Sequence, residues 1–412
     1  MNAYGLIVLA ALLLELGLRV TADVLNLRAL DPRLPPEFQG VYDADRYAHS
    51  QEYTRARTRF GLLNATSDLV LLIAFWFAGG FGWLDHQVRG LGLGPIATGL
   101  CFVAVLALAR SLVALPFRWW STFVIEERFG FNRTTPRTFF SDLLKGLGLA
   151  ALLGGPLLAS ILWLFEQSGS HAWLWCWLVS ALVSIAVQFI APTWIMPLFN
   201  RFTPLAAGGL REAILAYARS VDFALQDIFL IDGSRRSTKA NAFFTGFGRH
   251  KRVALFDTLV ERLGTVELLA VLAHEVGHFK RRHVFKGMLL GLVQLGVVFL
   301  LLSIFLEHRG LYDAFFVPQP SVYAGLVLFA LLLTPLGLLF SILSAALSRQ
   351  YEREADAFAV ATTGSGTPLA AALKRLSVDS LSNLTPHPFY VVLHYSHPPV
   401  CDRIHALEGA SP

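Results

Sequence analysis

The chain has 412 residues, 55% of them hydrophobic and only 15% charged, with a mean hydropathy of +0.54. A soluble domain carries about a quarter charged residues, so a wholly soluble globular chain is excluded. The net charge of +5 matters less than where the charges fall, and three cysteines without a CxxC pair argue against a disulfide scaffold or a cysteine-built zinc site.

Crossing about 30 Å of hydrocarbon takes roughly 20 apolar residues in a helix. Seven such runs are predicted, near 3–25, 61–84, 91–115, 146–167, 172–191, 284–306 and 321–346. The first is too long for a cleaved signal peptide, its end is too polar, and no clear small-residue cleavage site follows. It reads as a retained span. Residues 1–191 thus form a five-span membrane region. Nearly all Lys and Arg fall in 26–60, 116–145, 192–283 and 347–412, whereas the opposite loops hold only Arg89 and Arg309. The positive-inside rule makes the charged side cytoplasmic, with the N-terminus outside and the C-terminus inside.

Only 192–283 and 347–412 are long enough to build a soluble domain. Residues 205–222 read as an amphipathic helix (Leu210, Ile214, Leu215, Ala218, Val221) and 227–232 as a short strand. Asn241–Gly246 and Arg252–Phe256 read as a strand pair, with Gly246 to His250 as its turn. A helix over 261–282 is expected to continue into the sixth span, and a helix over 347–361 to continue the seventh. Residues 284–346 hold those two spans, and 409–412 read as a frayed tail. No internal repeat or low-complexity segment is present. The expected fold class is an all-α polytopic membrane protein of seven transmembrane helices. A small α+β domain is split around the last two spans.

The metallopeptidase reading rests on His274-Glu275-Val276-Gly277-His278. Residues four apart share a helix face, so His274 and His278 can point at one metal, while Glu275 can take a proton from a metal-bound water. Zinc in a peptidase takes three protein ligands and keeps one position for water. A third histidine six residues on is ruled out, because 281 and 284 are Arg281 and Val284 and His283 is off register by one. A distant carboxylate remains, and Tyr351-Glu352-Arg353-Glu354-Ala355-Asp356 offers one. Glu352 and Asp356 share a face. Glu352 is expected as the ligand and Asp356 as the group orienting a ligand histidine through its free ring nitrogen. Glu354 points elsewhere. The motif alone recurs by chance, and a Glu/Asp pair is often just a solvated helix face. The apolar flanks Leu269, Val271, Leu272, Val276 and Phe279 favour a buried catalytic helix.

Other features read plainly. Lys280-Arg281-Arg282 anchors the membrane boundary, and no nucleic-acid role is expected. Trp119-Trp120 and the aromatics of 172–177 read as interface belts, and His387 and His394 have no partner predictable from spacing. Glu15, Arg19, Asn64, Asp68, Arg110, Gln188 and Gln294 fall inside spans. Such residues cost a few kcal/mol in lipid unless paired or wetted, so several together suggest a hydrated interior.

Several further blocks carry a resemblance. Ser348-Arg349, Glu352 and Ala355–Ala359 form one. Phe123–Asn132 with Thr135-Pro136 forms another. Pro197–Asn200 with Thr203–Leu205, Asn241–Gly246, and Tyr395–Pro399 with Arg403 complete the set. From about residue 120 to the end, the chain resembles the integral-membrane, zinc-dependent CaaX prenyl proteases of type I. The resemblance implies one zinc per chain, held by His274, His278 and Glu352, with Glu275 as general base. It implies that His397 and Arg403 stabilise the oxyanion or the scissile segment. Substrate is expected to pair with the edge strand at Asn241, Ala242 and Phe243. The implied fold is a ring of seven tilted helices around a water-filled chamber capped by the catalytic domain. Two residues depart from the family pattern: Glu354, where a neutral Gln is frequent, and Lys239, where a small residue or His is common. Both bear on substrate choice rather than on the zinc site.

The expected function is a membrane-embedded zinc metalloendopeptidase that cuts near the C-terminus of CaaX-type, possibly prenylated, peptide or protein substrates. The alternatives are a broader quality-control metalloprotease, usually shorter and with fewer spans, or a scaffold or translocation-clearing factor with secondary proteolysis. The chain is expected to act as a monomer in the lipid bilayer. The ending Gly-Ala-Ser-Pro shows no retrieval signal, which favours a bacterial inner membrane over the ER.

Overall fold

The computed structural model describes residues 1–245 and 251–409. Helix α1 (Ala3–Arg28) is capped by Asn2, whose side chain accepts from the Gly5 N–H, and Arg28 closes it where a cation suits the helix dipole. Helix α2 (Ala44–Phe77) is capped by Asp43 and extends well beyond its apolar run. Its polar first half buries Tyr47, Ser50, Gln51 and Tyr53. It ends at Gly79, whose φ of 73° suits a residue without Cβ. The span expected at 61–84 therefore stops at Phe77. A separate amphipathic helix, α3 (Gly80–Arg89), follows and buries Phe81, Leu84, Asp85 and Val88.

Helix α4 (Pro95–Trp120) runs into a π turn at Ser121–Glu126. A second π turn at Ala150–Gly154 joins α5 (Pro136–Leu149) to α6 (Gly155–Gln167), and a third at Ala191–Ile195 extends α7 (Ala172–Ile190). Strand β1 (Phe202–Pro204), α8 (Gly209–Ser220), β2 (Leu225–Ile231), β3 (Ala242–Thr245) and β4 (Lys251–Phe256) open the catalytic domain. The sheet order is β1-β2-β4-β3, with β2 parallel to β4 and both outer strands antiparallel to their neighbours. The expected strand pair forms, with Ala242 opposite Leu255 and Phe243 opposite Ala254. Its expected turn, Gly246 to His250, lies outside the described residues, as do the last three residues of the expected tail. Strand β1 was not foreseen.

Helices α9 (Asp257–Arg262) and α10 (Thr265–Lys280) lead to α11 (His283–Phe305), α12 (Arg309–Ala314), α13 (Val322–Leu332) and α14 (Thr334–Thr363). Helices α15 (Thr367–Asp379), α16 (Pro388–His394) and α17 (Val400–Gly409) complete the domain. The motif helix is not continuous with the sixth span as expected. Arg282 takes φ 57°, a left-handed conformation that ends α10 and redirects the chain into α11. The helix expected at 347–361 is part of α14, which runs unbroken out of the seventh span.

Among the described residues, six stretches are long and apolar enough to cross a membrane: Ala3–Arg28, Ala44–Phe77, Pro95–Glu126, Pro136–Gln167, Gly169–Leu198 and His283–Phe305. Helices α13 and α14, bent by 57° to each other, make the seventh. Pro335, in the first turn of α14, has no N–H to continue a helix and clashes with the turn before it, which accounts for the break at Leu333. At the far side, Trp76 stacks on Phe315 with centroids 4.5 Å apart and donates to the Ala314 carbonyl at 2.8 Å. The buried Asp85 carboxylate accepts from Tyr323 at 2.5 Å and Arg89 at 2.8 Å. Elsewhere the spans splay. Helix α4 buries only Thr98, Gly99 and Phe102, near one end, and α5 buries no residue. Intramembrane polar groups meet one another. Arg110 pairs with Asp68 at 3.3 Å, and both line a cavity of about 230 Å³ with Glu15 and Arg19. Gln294 donates to Ser344 at 3.4 Å.

Helices α10 and α14, which carry the candidate ligands, approach closely at Gly277. A Cβ there would lie 3.1 Å from Ala355 Cα, Ala355 O and Phe358 Cβ. Gly277→Val is expected to wedge the helices apart at a cost of about 1–3 kcal/mol. Its thermal unfolding in detergent should fall below wild type, and an unchanged melting curve would contradict so close an approach.

Candidate metal centre

Helix α10 turns His274 and His278 to one side because they are one turn apart, and α14 brings Glu352 and Asp356 to face them in the same way. The two histidine Nε2 atoms are 3.2 Å apart. Glu352 Oε2 lies 3.3 Å from His274 Nε2, and Glu352 Oε1 lies 3.2 Å from His278 Nε2. These separations match the edge of a tetrahedral shell, which is about 3.3 Å for bonds of about 2.0–2.1 Å. Among the described residues, these three form the one cluster of at least three His, Cys, Asp or Glu able to hold a metal ion. Glu352 Oε2 is buried without a well-formed hydrogen bond, although His274 Nε2 and Arg403 Nη1 are each 3.3 Å away. A buried carboxylate oxygen left in this state fits a cation.

Each candidate ligand histidine is held from behind. His274 Nδ1 donates to Asp356 Oδ1 at 2.8 Å. Arg403, on α17 and buried, grips the same carboxylate with both arms, Nε to Oδ2 at 2.8 Å and Nη2 to Oδ1 at 2.7 Å. His278 is anchored by a residue that sequence spacing passed over. Its Nδ1 lies 3.1 Å from His283 Nδ1, and His283 Nε2 lies 3.0 Å from Glu354 Oε2. If His278 binds metal through Nε2, its Nδ1–H donates to His283, whose Nε2–H then donates to Glu354. The tautomer of both rings is fixed by this relay. The ring of His283 also stacks on Tyr351, 4.3 Å between centroids and 9° between planes. His283 is one position off register for a ligand. The turn at Arg282 brings it in behind one.

Burial disfavours a charge on His274, but hydrogen bonds to Asp356 and Glu352 outweigh it and raise the ring to about 9. Burial also raises Glu275, with His274 and His278 pulling the other way. Glu275 is half-buried beside the ligands, where a raised carboxyl suits a group that takes and returns a proton. His397 is the open member of the site: its side chain is 59% exposed, and its Nε2 lies 3.3 Å from Glu352 Oε1. Arg349 fixes the segment that carries it, donating to the Tyr395 carbonyl at 2.7 Å. Of the two residues expected near the scissile carbonyl, His397 faces open space and Arg403 is engaged with the carboxylates of α14.

The remaining motif blocks converge on the approach to β3. Arg236 clamps Asp142 at 2.8 and 3.0 Å and reaches Asn200 at 3.0 Å. Asn132 bridges Ser237, and the Thr238 N–H donates to the Phe131 carbonyl at 3.1 Å. Lys239 Nζ donates to Tyr53 at 2.7 Å and to Glu126 at 2.9 Å. Strand β3 follows, with Asn241 just before it and Ala242 as its first residue. It packs against α10 and, among the described residues, pairs only with β4.

Comparisons with known proteins agree with this geometry. Residues 23–201 match the CAAX prenyl protease N-terminal region of five membrane helices, and residues 204–411 match peptidase family M48. CAAX prenyl protease 1 of Saccharomyces cerevisiae is 34% identical over 408 residues, covering 92% of this chain and 90% of its own. The CAAX prenyl protease 1 homolog of Arabidopsis thaliana is 34% identical over 396 residues, covering 94% and 93%. The crystal structure of S. mikatae Ste24p superposes with a TM-score of 0.92 at 32% identity over 99% of both chains. These relatives come from yeasts and a plant, and they give the expected bacterial inner membrane no support.

Two outcomes follow from the supports behind the ligands. Removing His283 (His283→Ala) or the carboxylate behind it (Glu354→Leu) should weaken zinc affinity about 10–100-fold in a chelator competition. Glu354→Gln, which can still accept, should lose less, and equal affinity in all three variants would dismiss the relay. Metal binding needs a neutral imidazole, yet metal-free His274 stays protonated up to about pH 9. Zinc binding near neutrality should therefore release a proton from this ring, and affinity should climb with pH until about 9. Calorimetry in buffers of different ionisation enthalpy would register the release, and a pH-independent affinity would contradict it.

Proposed function

The chain belongs to peptidase family M48 and carries the CAAX prenyl protease N-terminal region, and on that premise we propose that it cleaves CaaX-type C-terminal tails, prenylated on their cysteine, at a single zinc. The observation that carries the reading is the His274–His278–Glu352 triangle, spaced for tetrahedral zinc and carried by a seven-span chain. Neither alternative, quality-control protease or scaffold, is favoured by the two matched regions. The donor set is complete within one chain, which supports action as a monomer. The basic loops support a cytoplasmic catalytic side.

Zinc, when bound, lowers the pKa of a coordinated water towards neutrality and polarises a peptide carbonyl. The residues of the chain do the rest. Glu275 accepts the proton of the attacking water and passes it to the leaving amine. His397, on the open side, donates to the oxyanion that develops on the substrate carbonyl. Arg403 does not reach that oxyanion in this reading. It holds Asp356, which orients His274. The substrate main chain adds to the free edge of β3 at Asn241, Ala242 and Phe243, fixing register with little demand on side chains.

Glu275→Gln should abolish cleavage of a fluorogenic prenylated CaaX peptide and keep one zinc per chain. Glu352→Ala should lose the metal. Cleavage by the first variant, or full occupancy in the second by metal analysis, would refute the assignment of that residue.

A further inference from the structure

A second polar site lies beside the metal centre. A cavity of about 540 Å³ is lined by Arg19, Tyr53, Arg57, Lys239, Asn383 and Tyr395, among others. Its wall includes Tyr395, two residues before His397 in the chain and held at its carbonyl by Arg349 of α14. Its charges do not balance. Arg19, Arg57 and Lys239 are countered by Asp23, which lines the same cavity, and by Glu126 behind it, leaving one positive charge in excess.

The donors are also only partly used. Lys239 Nζ spends two N–H groups, on Tyr53 at 2.7 Å and Glu126 at 2.9 Å, and has a third. Tyr53 in turn donates to the other Glu126 oxygen at 2.6 Å, so Lys239 is held in place rather than neutralised by a swinging partner. Arg57 Nη1 donates to the Tyr53 hydroxyl at 3.3 Å, but its nearest carboxylate oxygen is 3.9 Å away, beyond hydrogen-bond distance, and its side chain is 58% exposed, so the rest of its fork is open. A guanidinium fork beside a fixed ammonium, in a walled cavity, is a receptor for one carboxylate.

The direction of the sheet supplies the occupant. Lys239 stands two residues before Asn241, just ahead of β3. A substrate running antiparallel to β3 sends its C-terminal end back past Ala242 and Asn241 towards Lys239. After cleavage behind the modified cysteine, three residues remain, and their extended length is about 10 Å. The terminal carboxylate of such a tail must therefore be received close to the metal. We propose that Arg57 and Lys239 bind the free C-terminal carboxylate of the substrate, so that the enzyme measures its cut from the chain end. This rests on the CaaX reading above.

The test compares two prenylated CaaX peptides that differ only at the terminus, one a free acid and one a carboxamide, with wild-type enzyme in detergent. A charge-assisted bidentate contact should favour the acid by at least about tenfold in kcat/KM. In Arg57→Gln and in Lys239→Met that ratio should collapse towards one, with the loss in KM for the acid. The wild-type ratio needs no variant, so a misfolded mutant does not decide the matter. Equal cleavage of acid and amide by wild type would overturn the carboxylate site and leave the peptidase reading standing. Cleavage of neither, alongside zinc-dependent cleavage of an unrelated peptide, would overturn the CaaX reading and the carboxylate site with it.

Discussion

Everything at the metal centre depends on how closely α10 and α14 approach. Gly277 offers no side chain at this contact, and Ala355 offers only a methyl opposite it. That lets Glu352 lie within 3.2–3.3 Å of both histidine Nε2 atoms. Any larger residue at either position would open the gap, and a carboxylate cannot stretch to bridge it. The two helices then meet as a ladder. Glu352 faces His274 and His278, and one turn further on Asp356 faces His274 from its other nitrogen. The same 3.6-residue period on both helices makes the ligands and their supports one construction.

The buried charges show why that construction needs a cation. With Glu275, Glu352 and Asp356 ionised and Arg403 positive, the cluster carries −2 while its histidines are neutral. An unpaired buried charge is costly, and Arg403 alone does not balance three carboxylates. One divalent metal brings the sum to zero. Without it, the cheapest remaining cation is a protonated imidazole. The raised His274 ring, at about 9, expresses the same deficit from the protein side. Burial alone would have pushed that ring the other way. Metal affinity and ligand basicity are therefore set by one imbalance.

What could be read in the sequence follows from what is local. Spans were legible because hydropathy over twenty residues needs no partner. The candidate metal-binding cluster was legible because helical spacing fixes which residues share a face. Boundaries set by tertiary contact were not. Helix α2 runs on through Asp45–Arg59 because that polar half packs against the catalytic side, which no hydropathy window registers. The break at Arg282 puts a positive φ on a residue that ordinarily extends helices, within a basic run that looks like an uninterrupted boundary. The bend at Leu333 did leave a signal, Pro335, inside what otherwise read as one apolar run. His283 is illegible as a support because along one continuous helix it misses the ligand face by one position, and only the turn at Arg282 brings it behind His278.

That turn also has a mechanical consequence. Were α10 and α11 one rod, as their sequence suggests, tilting the sixth span would swing the whole motif helix. The break decouples the two backbones, and His283 couples them again at a single point. It is the first residue of α11, it touches His278 of α10, and it pairs with Glu354 and stacks on Tyr351 of α14. Three elements are therefore pinned at the membrane surface through one imidazole, directly behind a metal ligand. A helix entering the bilayer can flex below this pin while the ligand geometry above it holds. Motion large enough to disturb the pin is transmitted first to the His278 ring. A metal shell that tolerates displacements of only a few tenths of an ångström gains from such a joint.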